Sequence, residues 1–410
     1  MELIKNKQYY KFSAYGFLKN LRFFDAFFIL FLIDSGMSFT QIGILYAVRE
    51  IIINIFEIPS GIIADTYGRK SSLLASFLIY IISFVIFYLS ADFWLFLLAF
   101  ILYGIADAFR SGTHKGMIMD YLKINNWGDQ KIMYYGHTRS WSQKGSAISS
   151  LIAGLLVFYS GQYQSIFLYS IAPYLLNLLL ILSYPGELNH PIKQKVRQQQ
   201  KFAHTFSFLL QSLKEKSVLK LINTSAVHSA YLKAVKDYIQ PLMVHIIVLI
   251  PLMLNTDAEK KNGLFIGVFY FFIYLLTSRA SQLSSKFLHK TKGNIPYFTL
   301  LIGFSLGILC GVFYVYELWA IALIFFVGIY MIENLRKPIL TGYVADHVPS
   351  EILTSVMSVQ SLLKTIITAI LALVFGLLAD KFSIGFSFIS ISLFLVLLSF
   401  ALNIKWKHKR

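Results

Sequence analysis

Eight charged residues, Arg22, Asp25, Arg49, Glu50, Asp107, Lys144, Glu333 and Lys364, fall near the middle of apolar stretches long enough to cross a lipid bilayer as helices. A charge at that depth is costly unless it faces protein or a watery cavity, so such residues mark places where a polar solute or a proton can be handled. Lys233, Lys236 and Asp237 lie at the middle of their stretch or just outward of it. Arg110, His114, Lys115, Arg336 and Lys337 lie toward the inner ends of theirs, where long side chains can snorkel to the cytoplasm. Spacings of three or four residues put Arg22 with Asp25, Asp107 with Arg110, and Glu333 with Arg336 and Lys337 on shared helix faces, which permits structural ion pairs. Pairing does not absorb everything. Arg22, Arg49, Arg110, Arg139, Lys144, Lys233, Lys236, Arg336 and Lys364 outnumber Asp25, Glu50, Glu57, Asp107, Asp237 and Glu333.

Buried cations in surplus are unfavourable unless something anionic visits them, which points to a small solute bearing carboxylate, phosphate or sulfonate groups. The candidate binding residues are Arg22, Arg49, Arg110, Lys144, Lys233, Arg336 and Lys364. Arg22 and Arg110 suit bidentate contacts; Lys144 and Lys364 suit point-charge contacts, and Lys364 has no other charge in its own stretch. Asp25, Glu50, Asp107 and Glu333 are the candidates for a coupled proton, because a carboxylate beside a cation changes its proton affinity as that cation is engaged or freed. His114 and His137 titrate nearer neutrality, with a bond to backbone as the equal alternative. There is no His-Glu-x-x-His pattern, nucleotide loop or hydrolase spacing, so no enzyme, metal or cofactor is expected.

Helices must position these residues. Of 410 residues 57% are hydrophobic and the mean hydropathy is +0.64, which a soluble chain of this length would not show. Apolar runs are expected at 12–34, 39–64, 71–91, 93–119, 132–158, 163–183, 218–248, 263–287, 294–316, 319–344, 352–379 and 382–404. They are long and continuous, unlike the short alternating segments of a membrane barrel. The third, sixth, ninth and twelfth carry no charge and the other eight do, so as many as eight helices surround something polar.

Lys and Arg gather at one set of loop ends, among them Lys5, Lys7, Lys11, Arg69, Lys70, Lys123, Lys193, Lys195, Arg197, Lys201, Lys290, Lys405 and Arg410. The opposite ends hold little beyond Lys260, Lys261 and Lys381. Both termini are therefore expected in the cytoplasm of a multi-pass cell-membrane protein, and this asymmetry accounts for much of the net charge of +17 without a nucleic-acid partner. Cys310, the one cysteine, excludes an internal disulfide. The longest polar segment follows Tyr184-Pro185-Gly186 and divides the chain into a six-helix bundle over 1–184, a cytoplasmic linker over 185–217 with an amphipathic piece near 202–213, and a second bundle over 218–410. The same charge pattern in both sets of six suggests duplication, a common build of secondary transporters.

Between the second and third stretches the chain reads Gly61-Ile62-Ile63-Ala64-Asp65-Thr66-Tyr67-Gly68-Arg69-Lys70. This resembles the signature loop of the major facilitator superfamily, bacterial type, with Thr66 in place of the first basic residue. The resemblance implies twelve transmembrane helices in two pseudo-symmetric bundles, alternating access, and a gating role for Gly61, Asp65, Gly68, Arg69 and Lys70. Physically, Gly61 allows close helix contact, Gly68 a tight turn, and Asp65 a carboxylate that a neighbouring helix end or cation can hold. The corresponding loop of the second half, Ser284 to Lys290, is basic but lacks the Gly and Asp.

The leading expectation is a monomeric secondary transporter, in contact with membrane lipid, that moves a small anionic solute with protons. A multidrug exporter would have a mainly aromatic cavity, which 37 Phe and 25 Tyr leave open, although the fifth stretch lacks the proline usual in drug antiporters. A lipid-handling membrane enzyme is the reading of another class.

Overall fold

The computed structural model describes residues 4–127, 130–189, 220, 223–251, 253, 255–290, 295–347 and 350–403, and among them there is no strand. The helices are α1 (Lys7–Lys19), α2 (Phe28–Asp34), α3 (Phe39–Tyr67), α4 (Arg69–Leu89), α5 (Phe93–Arg110), α6 (Thr113–Ile124), α7 (Lys131–Ser160) and α8 (Ser165–Leu182), then α9 (His228–Val235), α10 (Ile239–Leu249), α11 (Ala258–Lys290), α12 (Ile295–Val315), α13 (Trp319–His347), α14 (Ser350–Lys381) and α15 (Ile384–Asn403). Seven segments among the described residues are long and apolar enough to cross a bilayer by length and composition, for example Arg69–Leu89 and Ile384–Leu402.

Three expected spans are not single helices. The first breaks between α1 and α2, where Asn20 caps the end of α1 and Phe23–Ala26 forms a 3-10 turn. The fourth breaks at Ser111-Gly112, because Gly112 sits at φ +76°, a conformation costly for any residue with a Cβ. The seventh begins as a π turn over Asn223–Val227 and breaks again at the 3-10 turn Lys236–Tyr238. Irregular backbone at membrane depth is tolerated where it is buried in protein or lines a cavity, so these breaks locate polar business inside the fold. Periodicity of apolar residues continues through such breaks and does not reveal them.

Internal contacts divide the residues into two units, 1–37 with 48–197 and 251–274, and 38–47 with 198–250 and 275–410. The start of α3 thus belongs to the second unit and the start of α11 to the first. The amphipathic piece expected at 202–213 lies outside the described residues.

Within the first unit, serine hydroxyls fasten helices to backbone: Ser60 to the Ala108 carbonyl (3.0 Å), Ser76 to Ala106 (2.7 Å) and Ser83 to Ala99 (2.9 Å). Phenylalanines fill the space between, with Phe28 stacked on Phe100 and Phe167 on both Phe24 and Phe87. Small residues bring other helices to backbone contact. A Cβ on Gly145 would lie 2.5 Å from the Phe17 carbonyl, and one on Gly154 2.7 Å from the carbonyl of Gly263. Gly154→Val should lower the melting temperature of the detergent-solubilised protein by the equivalent of about 1–3 kcal/mol. Gly136→Ala, with nothing within 4 Å of its Cβ, should leave the melting curve in place.

Candidate functional site

The breaks in the first and fourth spans open a cavity of about 390 Å³ in the first unit. α1 contributes Phe12, Tyr15, Gly16 and Lys19, followed by Asn20; the α5–α6 break contributes Arg110, Ser111, Gly112, His114 and Lys115; α7 contributes Thr138, Ser142 and Gln143. None of the lining residues is acidic. Gly16 and Ser142 set the approach of α1 to α7, since a Cβ on Gly16 would lie 2.7 Å from the Ser142 hydroxyl. The His114 ring stacks on Tyr15 with centroids 3.6 Å apart, and its Nε2 lies 3.1 Å from the Tyr184 hydroxyl. That sandwich fixes the imidazole at the cavity wall.

Behind the wall, Arg110 is bound to Asp107, whose Oδ1 also accepts the Tyr80 hydroxyl at 2.6 Å. Arg110 Nε donates to the Tyr80 oxygen at 3.1 Å, so arginine, carboxylate and phenol form one closed network. Arg22 and Asp25 stand 3.9 Å apart at the first break, and Arg49 pairs with the buried Glu50 at 3.3 Å while its guanidinium faces Phe100. Of the residues expected to bind an anion, the structure therefore brings Arg110 to the cavity, and it adds Lys19, His114 and Lys115 around it. Lys144 is instead exposed, its ammonium 4.7 Å from the centre of the Trp141 ring, and is absent from the cavity wall. His137 is exposed as well.

The second unit places its charges differently. Glu333 of α13 accepts Ser229 and lies 2.7 Å from Nδ1 of His228, and all of the histidine is buried. Arg336, expected to snorkel or to bind solute, is fully buried. Its guanidinium donates to the Pro296 carbonyl (2.6 Å), the Thr299 hydroxyl (2.7 Å) and the Thr224 carbonyl (2.5 Å). The π turn at 223–227 shifts the local hydrogen-bond register, which fits Thr224 turning its carbonyl to a side chain. Lys236 pairs with Asp237 at 3.4 Å in the seventh-span break, and Lys233 and Lys364 are half-buried. His228 escaped sequence reading because it stands outside the charged spacing pattern; its signal was a histidine five residues before Lys233 in an uncharged run that also holds Asn223, Thr224, Ser225 and Ser229.

The Major Facilitator Superfamily profile matches residues 20–370. The chain belongs to that superfamily. It is 24% identical over 398 residues, 95% of this chain and 93% of the relative, to the uncharacterized MFS-type transporter YxaM of Bacillus subtilis (strain 168). Its fold is similar to a point mutant of the nucleoside transporter NupG (TM-score 0.77, 15% identity, 97% of this chain and 100% of that one). It is also similar to a bacterial homolog of the human lysosomal transporter Spinster (TM-score 0.72, 15% identity, 97% of each chain). A D-xylose-proton symporter matches at a TM-score of 0.68 with 14% identity, over 97% of this chain and 96% of that one. The protein is a multi-pass membrane transporter of the major facilitator type rather than an enzyme.

In this superfamily member the signature turn is built from bonds within the first unit. Gly68 turns the chain at φ +107°, and the Asn189 side chain covers it so closely that a Cβ there would collide with Asn189 Oδ1. Arg69 reaches Asp65 at 3.5 Å and Asp120, at the end of the fourth span, at 2.5 Å. Gly116 makes room for that guanidinium, its Cβ position lying 2.6 Å from Arg69 Nη1. Lys70 donates to the carbonyls of Leu182 (2.7 Å) and Tyr184 (3.0 Å). Gly61 departs from its expected part as a close-contact residue, since a Cβ there would meet nothing within 4 Å. Thr66, where the family pattern has a basic residue, turns its hydroxyl to the Ile62 carbonyl at 2.8 Å. In a double-mutant cycle, Arg69→Ala and Asp120→Asn should show a coupling energy of about 1–2 kcal/mol by thermal unfolding; additive losses would separate the two residues.

Proposed function

We propose that this transporter moves a small organic or inorganic anion across the cell membrane, with both termini in the cytoplasm, and that it does so as a monomer coupled to protons. One observation carries the reading: the cavity of the first unit is lined by Lys19, Arg110, His114 and Lys115, together with amides and hydroxyls, and by no carboxylate. Such a wall stabilises a carboxylate, phosphate or sulfonate group and repels a lipophilic cation. A mainly aromatic wall, as a drug exporter would need, is not what this cavity offers: Phe12 and Tyr15 are the only Phe or Tyr side chains among its lining residues. Cytoplasmic termini follow from the Lys and Arg distribution.

The Asp107–Arg110–Tyr80 network supports the reading of proton coupling. An anion that takes Arg110 from the cavity side competes with Asp107 for the same guanidinium, and a proton on Asp107 would restore the charge balance. Anion and proton then bind together, which favours symport. Asp25, Glu50 and Glu333 stand beside cations or a histidine and are the other places a proton can reside.

Thermal stability of the purified protein, measured against phosphate, sulfate, citrate, gluconate and a hexose phosphate beside lipophilic cations, tests the substrate class. At least one anion should raise the melting temperature, and Arg110→Gln or Lys19→Gln should weaken its apparent affinity about tenfold or more. Stabilisation by lipophilic cations alone would overturn the reading. Binding of the active anion in weak buffer should draw about one proton from solution, seen with a pH indicator dye, and Asp107→Asn should abolish that uptake.

A further inference from the structure

The pentapeptide Gly61-Ile62-Ile63-Ala64-Asp65 near the end of α3 has a near copy, Gly376-Leu377-Leu378-Ala379-Asp380, at the end of α14. One closes the second expected span and the other the eleventh. At the second copy, Asp380 Oδ1 accepts the backbone N–H of Phe39 at 2.8 Å, and Oδ2 accepts that of Thr40 at 2.6 Å. These are the first amides of α3, which have no partner within their own helix, and the carboxylate lies at the positive end of the helix dipole.

The glycine of the same pentapeptide makes the approach. A Cβ on Gly376 would collide with the Phe39 carbonyl and lie 3.2 Å from Gly43 Cα, and one on Gly43 would lie 2.7 Å from the Ala372 carbonyl. Glycine thus lets two backbones touch, and aspartate fastens one to the other. The first copy is arranged otherwise: Gly61 has nothing within 4 Å of its Cβ position, and Asp65 is bridged to Arg69 of its own turn. The same five-residue pattern is docked on a helix start in one place and folded back on its own turn in the other.

Two further features make the contact suited to opening. α3 is shared between the units, residues 38–47 clustering with the second and the rest with the first. Its start also carries its own capping box, in which Gln41 Oε1 accepts Ser38 N–H at 2.9 Å and Ser38 Oγ accepts Gln41 N–H at 3.2 Å. The helix terminus therefore keeps its own cap when Asp380 leaves. Asp380 is exposed, so water can replace the amides it gives up.

We propose that Asp380 is a releasable clip that holds the start of α3 to the end of α14 in the conformation described here, and that its two amide bonds must break as the transporter changes state. This inference does not depend on the substrate being an anion.

The test uses full-length protein in lipid nanodiscs with Cys310→Ser and Ile42→Cys, since Ile42 is fully buried beside the clip. Asp380→Asn and Asp380→Ala should each raise the rate of maleimide labelling at position 42 about tenfold, with a matching rise in amide exchange across 38–42, while Asp65→Asn should not. Wild-type labelling and exchange in folded Asp380 variants would overturn the proposal. Should those variants fail to fold, raising salt from about 0.05 M to about 1 M on the chain with native Asp380 should speed amide exchange across 38–42, because the clip is an exposed charge interaction. No response to salt there would equally overturn it.

Discussion

A charge inside a membrane protein must be answered by another charge or by oriented dipoles, and this requirement organises the two units from within. In the first unit the answer is local pairing: Arg22 with Asp25, Arg49 with Glu50, Arg110 with Asp107. In the second unit Arg336 is answered by two carbonyls and a hydroxyl, and Glu333 by a histidine and a serine. Some of these charged groups stand beside backbone that departs from a straight helix. The Ser111-Gly112 break follows Arg110, and the π turn at 223–227 holds a carbonyl that Arg336 uses. At the π turn the irregular backbone supplies a dipole that water would otherwise have to supply.

The division of labour among aromatic residues follows the same logic. Phenylalanine has no hydrogen-bonding group to satisfy, so Phe24, Phe28, Phe87, Phe100 and Phe167 can fill an interior without leaving a polar atom unpaired. Tyrosines stand where an apolar ring and a polar tip are both useful: Tyr80 holds Asp107, Tyr184 holds His114, and Tyr330 donates to the Lys236 carbonyl at 2.9 Å. A cavity of mixed polarity results beside a hydrocarbon core, without one disturbing the other.

Much of this was legible in the sequence. Long apolar runs announced the helical membrane class, the Gly61–Lys70 loop announced the superfamily, and three- and four-residue spacings announced the Arg22–Asp25 and Arg110–Asp107 pairs. Other features were not legible, for physical reasons. Asp120 as the partner of Arg69 depends on two spans meeting in space, which no spacing encodes. Arg336 looks the same in sequence whether it faces a cavity or a set of carbonyls. Lys144 was placed by depth along its helix, but depth says nothing about direction around the axis, and its ammonium lies over Trp141 three residues away. His228 carried no pattern of its own because its partner lies 105 residues further along the chain.

One small contact at the end of the first unit reaches further than its size suggests. The Asn189 carbonyl accepts Arg69 N–H at 2.6 Å and its side chain accepts Lys70 N–H at 3.1 Å, so the chain that follows α8 is tied back to the turn between α3 and α4. Any rearrangement of the turn between α3 and α4 must therefore carry the stretch from the end of α8 to Asn189 with it, since that same turn also holds Asp65 and Asp120.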